Sequence, residues 1–413
     1  MSDPPGLKVL FLTSSYPRGH DDSASVFLRY LAEELAGRGY DVHILAPADG
    51  DGETAIEGKV TVHRFKYFPS RLQALAYGSG VMPNLRRSPW LWLQVPFFVL
   101  TMALTLWRTI KRERIDLVHA HWVLPQGMVA VLAKSLCRIP VVTTVHGADA
   151  FSLRGKIARA LKEFVIARSD AWTANTPASA RAIASTISAP QARIVPMGVD
   201  VEMFASGDST HFRTQLPEHE YLLLFVGRLV EKKGCQTLLD ALSLLRPELL
   251  RQTTLWIVGD GAQKRLLEQS ARKLGIERRI RFWGALDNRR LPDFYAAADL
   301  FVAPSIVDPS GDTEGQGIVL LEAFAGGVCV LASYTGGIDA VVTDGVTGVL
   351  VEPNQPRQLA REIERLLDDP ALRARLARNA FAEVAEKYAW KKIAGQFDSL
   401  YSSLVRHRTD EAL

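Results

Sequence analysis

The sequence predicts an α/β protein of two doubly wound, parallel-sheet domains in tandem, facing across a cleft. Short apolar runs alternate with amphipathic helical segments, which is the pattern of successive βαβ units. Polar, glycine-bearing loops follow the carboxyl ends of those runs, where open α/β sheets bind ligands. The 413 residues suit two domains, each large enough for its own core. The three cysteines, Cys137, Cys235 and Cys329, form no CxxC pair, which excludes a disulfide scaffold and a cysteine zinc site and fits a reducing compartment. Glycine and proline, 30 and 21, are too close to average for a fibrous or disordered chain.

The first domain opens with the strand Leu7–Thr13 and the polar loop Ser14–Ser25. The helix Val26–Arg38 follows, with Phe27, Tyr30, Leu31 and Leu35 recurring on one face, and Gly39 ends it before the strand Asp41–Ala46. Further strands are expected at Leu117–His121, Val141–Val145 and Ala171–Ala174, with a helix from about Gly155 to Arg168. A second set starts at Tyr221–Val226 and continues at Thr254–Val258, Ile280–Trp283, Leu300–Ala303 and Val328–Leu331. Helices at Gln236–Leu245, Ala262–Leu274, Leu291–Ala298 and Ile318–Ala325 connect them. The polar stretch Asp200–His219 has weak periodicity and is read as the domain boundary. Domains of 1–200 and 201–384 follow, with a C-terminal helix, 385–413, expected to pack back on the first.

One run breaks the pattern. Pro89–Trp107 has no charge and is followed by the cationic stretch Arg108–Arg114. It suits a membrane span, a core helix, or a helix that also dips into a membrane interface. Pro96, near its middle, is expected to kink or break a helix there. Arg86, Arg87, Arg108, Lys111, Arg112 and Arg114 suit anionic headgroups or a solvated basic rim. The net charge of +4 conceals an asymmetry: residues 1–200 carry 23 Lys and Arg against 16 Asp and Glu, and the remainder 26 against 29. Met1–Gly6 has neither a basic n-region nor an apolar h-region, so a secretory signal is not expected.

Several signatures are absent: no GxxxxGK[ST], GxSxG or HExxH occurs, and the first strand runs into Ser14-Ser15-Tyr16-Pro17 rather than GxGxxG. Gly259-Asp260-Gly261 is a lone GxG. Asp49-Gly50-Asp51 spells a DxD, but in an acidic glycine-rich loop that suits a solvated turn. His119 and His121 share a strand face without a third metal ligand.

Three segments carry more. Gly227-Arg228-Leu229-Val230-Glu231-Lys232-Lys233-Gly234 follows a strand and precedes a helix, so Arg228 and Lys233 can converge on a diphosphate between two glycines. A basic surface loop is the plainer alternative. Glu314-Gly315-Gln316-Gly317-Ile318-Val319-Leu320-Leu321-Glu322 puts one carboxylate in a glycine-rich loop and another one turn into a helix whose N-terminal amides suit phosphate, with a solvated or capping pair as the plainer alternative. His146-Gly147-Ala148-Asp149 places a histidine at a strand end, as a site residue or a structural one.

In this order, HGAD, GRLVEKKG and EGQGIVLLEA resemble glycosyltransferase family 4, retaining sugar-nucleotide transferases of the GT-B fold with two Rossmann-like domains. Ala120–Gly127, Thr335-Gly336-Gly337-Ile338 and Asp344–Gly348 add to a resemblance that spans most of the chain. It implies that Arg228 and Lys233 bind the donor diphosphate, Glu314 the donor sugar and Glu322 the ribose. Gly317 and Ile318 would offer amides to phosphate, Leu286 would contact the base, and His146 would lie by the anomeric centre. His121 and Asp149 are expected on the acceptor side. No metal and no cofactor is implied. One departure stands out: many members carry a Gly-Gly pair in the first loop, where this chain has roughly Asp22-Ser23.

The expected reaction is transfer of a sugar, with retention, from a nucleoside diphosphate sugar to a hydroxyl acceptor in surface polysaccharide or glycolipid assembly. The alternatives are a sugar-nucleotide epimerase, a non-catalytic nucleotide-sugar-binding protein and a phosphorylase-like enzyme. The expected partners are the donor, a lipid-linked glycan acceptor and an anionic membrane, not nucleic acid. The expected location is the cytoplasm, including the cytoplasmic membrane face.

Overall fold

The computed structural model describes residues 6–411, apart from 20, 21, 23, 51–53, 79, 152–154 and 218–219. The chain divides into two compact units, 1–196 with 390–413, and 197–389.

In the first unit, the strands in chain order are β1 (Lys8–Leu12), β2 (Asp41–Pro47), β3 (Ala55–Glu57), β4 (Val60–Phe65), β5 (Leu117–His121), β6 (Val141–Val145), β7 (Ala171–Ala174) and β8 (Arg193–Ile194). Among the described residues they form one sheet in the order β3-β4-β2-β1-β5-β6-β7-β8. All neighbours are parallel except the β3–β4 pair. Every residue of β5 and β6 is buried, as expected of central strands covered by helices on both faces. The helix Trp390–Glu411 returns to this unit and packs on Val26–Gly37, burying Ile393, Phe397, Leu400 and Tyr401.

In the second unit, β9 (Tyr221–Val226), β10 (Thr253–Val258), β11 (Ile280–Gly284), β12 (Leu300–Ala303), β13 (Val330–Ser333) and β14 (Val349–Val351) are all parallel, in the order β11-β10-β9-β12-β13-β14. Strand residues alternate between two cores. Leu222, Leu224 and Val226 face one, and Leu223 and Phe225 the other, so β9 is covered on both sides. The strand order reverses between β9 and β12, and that reversal opens a ligand crevice at their carboxyl ends.

Three expectations change. The stretch Asp200–His219 is no boundary: the division lies at Pro196/Met197, and the helices Val201–Ala205 and Thr210–Arg213 bury Phe204 and Phe212 in the second unit's core. Helices that short hold too few residues to show a period. The strand expected at Val328–Leu331 is Val330–Ser333, because the Val328 amide still bonds back to the Ala323 carbonyl at 3.1 Å. Pro96 does not break the apolar run. A 3₁₀ segment, Pro89–Leu93, leads into the helix Gln94–Glu113, and Pro96 falls in its first turn, where the missing N–H has no acceptor within that helix.

Candidate functional site

In the second unit, the turn after β9 begins at Gly227 and ends at Gly234, which is left-handed at φ 64°. A Cβ on Gly234 would come within 1.8 Å of the Pro304 carbonyl, so only glycine lets this turn lie against the end of β12. Gly261 serves the same turn, since a Cβ there would lie 2.4 Å from the Leu229 carbonyl. The GxG at Gly259–Gly261 is thus engaged in packing the turn.

Lys233 and Glu314 form a direct ion pair, both largely buried. Lys232 ties the same two loops together by reaching the Thr313 carbonyl at 3.1 Å and Asp312 at 3.1 Å, while its own carbonyl accepts from the Ile306 amide at 2.8 Å. Burial pushes the Glu314 carboxyl up, but Lys233, Lys232 and Arg228 together outweigh it and hold its pKa down at about 2. Glu314 is therefore ionised, with three cations around it. Lys233, Glu314 and Gly317 line a small open depression with Phe225, Ser305 and Leu320.

Gly317, left-handed at φ 75°, caps the helix Ile318–Ala325, whose first amides, at Ile318 and Val319, have no acceptor within the helix. Glu322 lies one turn in, 7% exposed, and accepts a 2.8 Å hydrogen bond from the Tyr295 hydroxyl. Burial dominates there, and neither Tyr295 nor Lys233 offsets it, so its pKa rises to about 7. Leu286 is half-buried in the loop after β11, packed on the same core as β9.

Sequence reasoning missed the part played by four contributors. Tyr295 and Lys232 are two of them. Gln316 is the third: its carbonyl accepts from the Met197 amide at 2.8 Å, and its amide donates to the Met197 carbonyl at 2.9 Å. The fourth is the Gly336-Gly337 turn. A Cβ on Gly336 would lie 2.0 Å from the Glu314 carbonyl, which also accepts from the Gly337 amide at 3.1 Å. The Gly pair was visible in the sequence, but nothing there links Gln316 to Met197.

In the first unit, His121 ends β5 and His146 follows β6. His121 Nδ1 lies 3.0 Å from His146 Nε2. His119 packs on His121 at 4.0 Å between ring centres, and its two nitrogens lie 2.6 Å from the Tyr401 and Thr144 hydroxyls. Phe27 and Trp122 flank His146 at 5.3 and 4.9 Å. Burial lowers the His146 pKa to about 3, so the ring is neutral at physiological pH. Asp149 accepts from the His146 amide at 3.1 Å and the Val123 amide at 2.7 Å, joining the loops after β5 and β6.

His121 and Asp149, expected on the acceptor side, are 0% and 2% exposed, and both hold the loop that carries His146. Among the described residues no cluster of His, Cys, Asp or Glu could hold a metal ion. Asp49 pairs with Arg18, while Asp51 and Ser23 lie outside the described residues.

Residues 24–203 match Glycosyltransferase Family 4, and 207–383 match Glycosyl transferases group 1. The chain is 28% identical to D-inositol 3-phosphate glycosyltransferase of Corynebacterium glutamicum, over 94% of this chain and 93% of that one. It is 34% identical to the enzyme of that name from Thermobispora bispora, over 72% and 73%. It is 26% identical to N-acetyl-alpha-D-glucosaminyl L-malate synthase of Bacillus anthracis, over 91% and 92%. Among solved structures, sucrose-phosphate synthase from Thermosynechococcus elongatus superposes with a TM-score of 0.79 at 23% identity, covering 97% of this chain and all of that one. The Anabaena protein HepE in complex with UDP-glucose gives 0.74 at 24%, covering 96% and 100%.

Proposed function

The chain belongs to the family 4 glycosyltransferases and has their GT-B fold, and from that premise we propose that it moves a sugar, with retention, from a nucleoside diphosphate sugar to a hydroxyl acceptor. The observation that carries the donor half is the convergence of Lys233, Glu314 and the amides after Gly317 at the carboxyl ends of β9 and β12. As the glycosidic bond breaks, charge develops on the leaving diphosphate. Arg228, Lys233 and the helix N-terminus stabilise it without a metal or other cofactor. Lys233 exchanges its carboxylate partner for phosphate, which frees Glu314 to accept hydrogen bonds from sugar hydroxyls. Glu322 takes the ribose, and Leu286 packs on the base. His146, neutral, gives the transferring sugar a hydrogen bond rather than a proton.

The acceptor half of the proposal is a lipid-linked glycan met at the cytoplasmic face of a membrane. Its support is the helix Gln94–Glu113. Phe98, Met102, Leu106 and Ile110, four residues apart, bury the inner face in the first unit's core. Phe97, Leu100, Leu104 and Trp107 on the other side are exposed, as are Trp90, Trp92 and Leu93 before it. A continuous apolar face of that size, edged by Arg108, Lys111 and Arg112, suits an anionic interface. Pro89–Glu113 is also long and apolar enough to cross a membrane, but spanning would strip the inner face from the core.

The test is a donor screen followed by product analysis. UDP-sugars come first, because HepE was solved with UDP-glucose. D-inositol 3-phosphate and lipid-linked glycans are offered as alternative acceptors. Arg228→Ala, Lys233→Ala and Glu314→Ala should each lower transfer by roughly 100-fold or more. Wild-type transfer in all three would refute the site. A changed sugar nucleotide from donor alone would point to an epimerase instead, and efficient use of soluble D-inositol 3-phosphate would refute the lipid-linked acceptor.

A further inference from the structure

The contact between His121 Nδ1 and His146 Nε2 needs one proton between two nitrogens. His121 is fully buried and His146 half-buried among aromatic neighbours, Phe11 edge-on to His121 at 4.7 Å and Trp122 beside His146. Desolvation keeps both neutral, and a neutral imidazole carries a single N–H. Two arrangements are therefore available.

If His146 donated through Nε2, the only proton on His121 would sit on its own Nε2. That atom is buried and has no hydrogen-bond partner among the described residues. A buried N–H without an acceptor is among the rarest defects of folded proteins, whereas an under-used acceptor is better tolerated. If His121 donates through Nδ1, its Nε2 is a bare lone pair and no donor is orphaned. The single proton of His146 then moves to its Nδ1. The ring of His121 is held for this task by His119, itself fixed at both nitrogens by Tyr401 and Thr144.

We propose that His121 is a positioning residue that sets the tautomer of His146: it donates through Nδ1–H to His146 Nε2, so that His146 presents Nδ1–H to a substrate oxygen. The inference rests on the assignment of His146 to the transferring sugar. It makes His146 a hydrogen-bond donor, and it removes His146 as the base that takes the acceptor's proton. Nδ1 has no free lone pair, and Nε2 is occupied.

The test separates proton position from function. Two-bond ¹H–¹⁵N spectra of the full chain labelled in histidine should show His146 protonated at Nδ1. His121→Asn keeps an N–H donor at the Nδ1 position and should preserve that pattern, while His121→Asp offers only an acceptor and should move the proton to Nε2. Transfer should follow the proton: kcat should fall roughly 100-fold in H121D, as when one preorganised hydrogen-bond donor is lost, and about threefold or less in H121N. KM for the donor should stay within about twofold, because none of the proposed diphosphate ligands is touched.

A wild-type proton on Nε2 would overturn the proposal without any variant. Equal loss in H121N and H121D would also overturn it, since packing alone would then explain the effect. If His146→Ala itself keeps full turnover, the role given to His146 fails, while the spectrum still decides the tautomer.

Discussion

Glu314 and Glu322 are two carboxylates on one short segment, driven in opposite directions by their neighbours. Three cations hold Glu314 near 2, while Glu322, buried beside a phenol, rises to about 7. In the role proposed for Glu322, a ribose diol needs the ionised form as acceptor. Donor affinity should therefore strengthen as pH rises through about 7, and the dependence should flatten in Glu322→Gln; titration calorimetry across pH 6–8 checks this. Stability carries the opposite sign. A raised folded-state pKa contributes stability that is full below the unfolded value and lost as pH rises through the folded one. E322Q should thus melt a few degrees above wild type at pH 8, without that gain at pH 4.5. Gln316 makes a different point: Gln316→Ala leaves both buried backbone groups of Met197 unpaired and should cost on the order of 1–3 kcal/mol of stability.

At the scale of elements, the helix Gln94–Glu113 has two apolar faces, one packed in the core and one largely exposed. Phe97→Glu with Leu104→Glu should reduce co-sedimentation with phosphatidylglycerol vesicles by roughly tenfold or more. The melting temperature should hardly change, because neither side chain is in the core. Wild-type binding in that variant would remove this face as the membrane contact. The turn after β9 shows the reverse economy, with no spare room. Gly234→Ala demands an L-residue at φ 64° and a Cβ against the Pro304 carbonyl. It should lose about 2 kcal/mol or more of stability and raise donor KM, measured by denaturant titration and initial rates.

At the scale of the molecule, two sheets of the same strand logic each place loops at a point where the strand order reverses. The helix Trp390–Glu411 packs back on the first unit. Ile393, Phe397, Leu400 and Tyr401 bury against it, at roughly 1.5–3 kcal/mol each, a sum comparable to the whole stability of a domain. Ending the chain before Trp390 should therefore unfold the first unit and abolish transfer. Limited proteolysis and near-UV circular dichroism would show it.

The sequence by itself determined the alternation of strand and helix, because burial on both faces of a parallel strand leaves an unbroken apolar run such as Leu117–Val118 or Leu222–Val226. It also determined the glycine turns at Gly234 and Gly317, since a left-handed turn requires glycine. It misjudged Asp200–His219, where helices of about one turn are too short to show a period, and Pro96, whose effect depends on the turn it occupies. Only the tertiary structure decided what Lys232, Tyr295, Gln316 and His121 do. Each acts on a partner from another part of the chain: Thr313, Glu322, Met197 and His146. Local pattern records which face of an element is apolar, but a hydrogen bond across such a separation exists only once the sheet has brought its strand ends together.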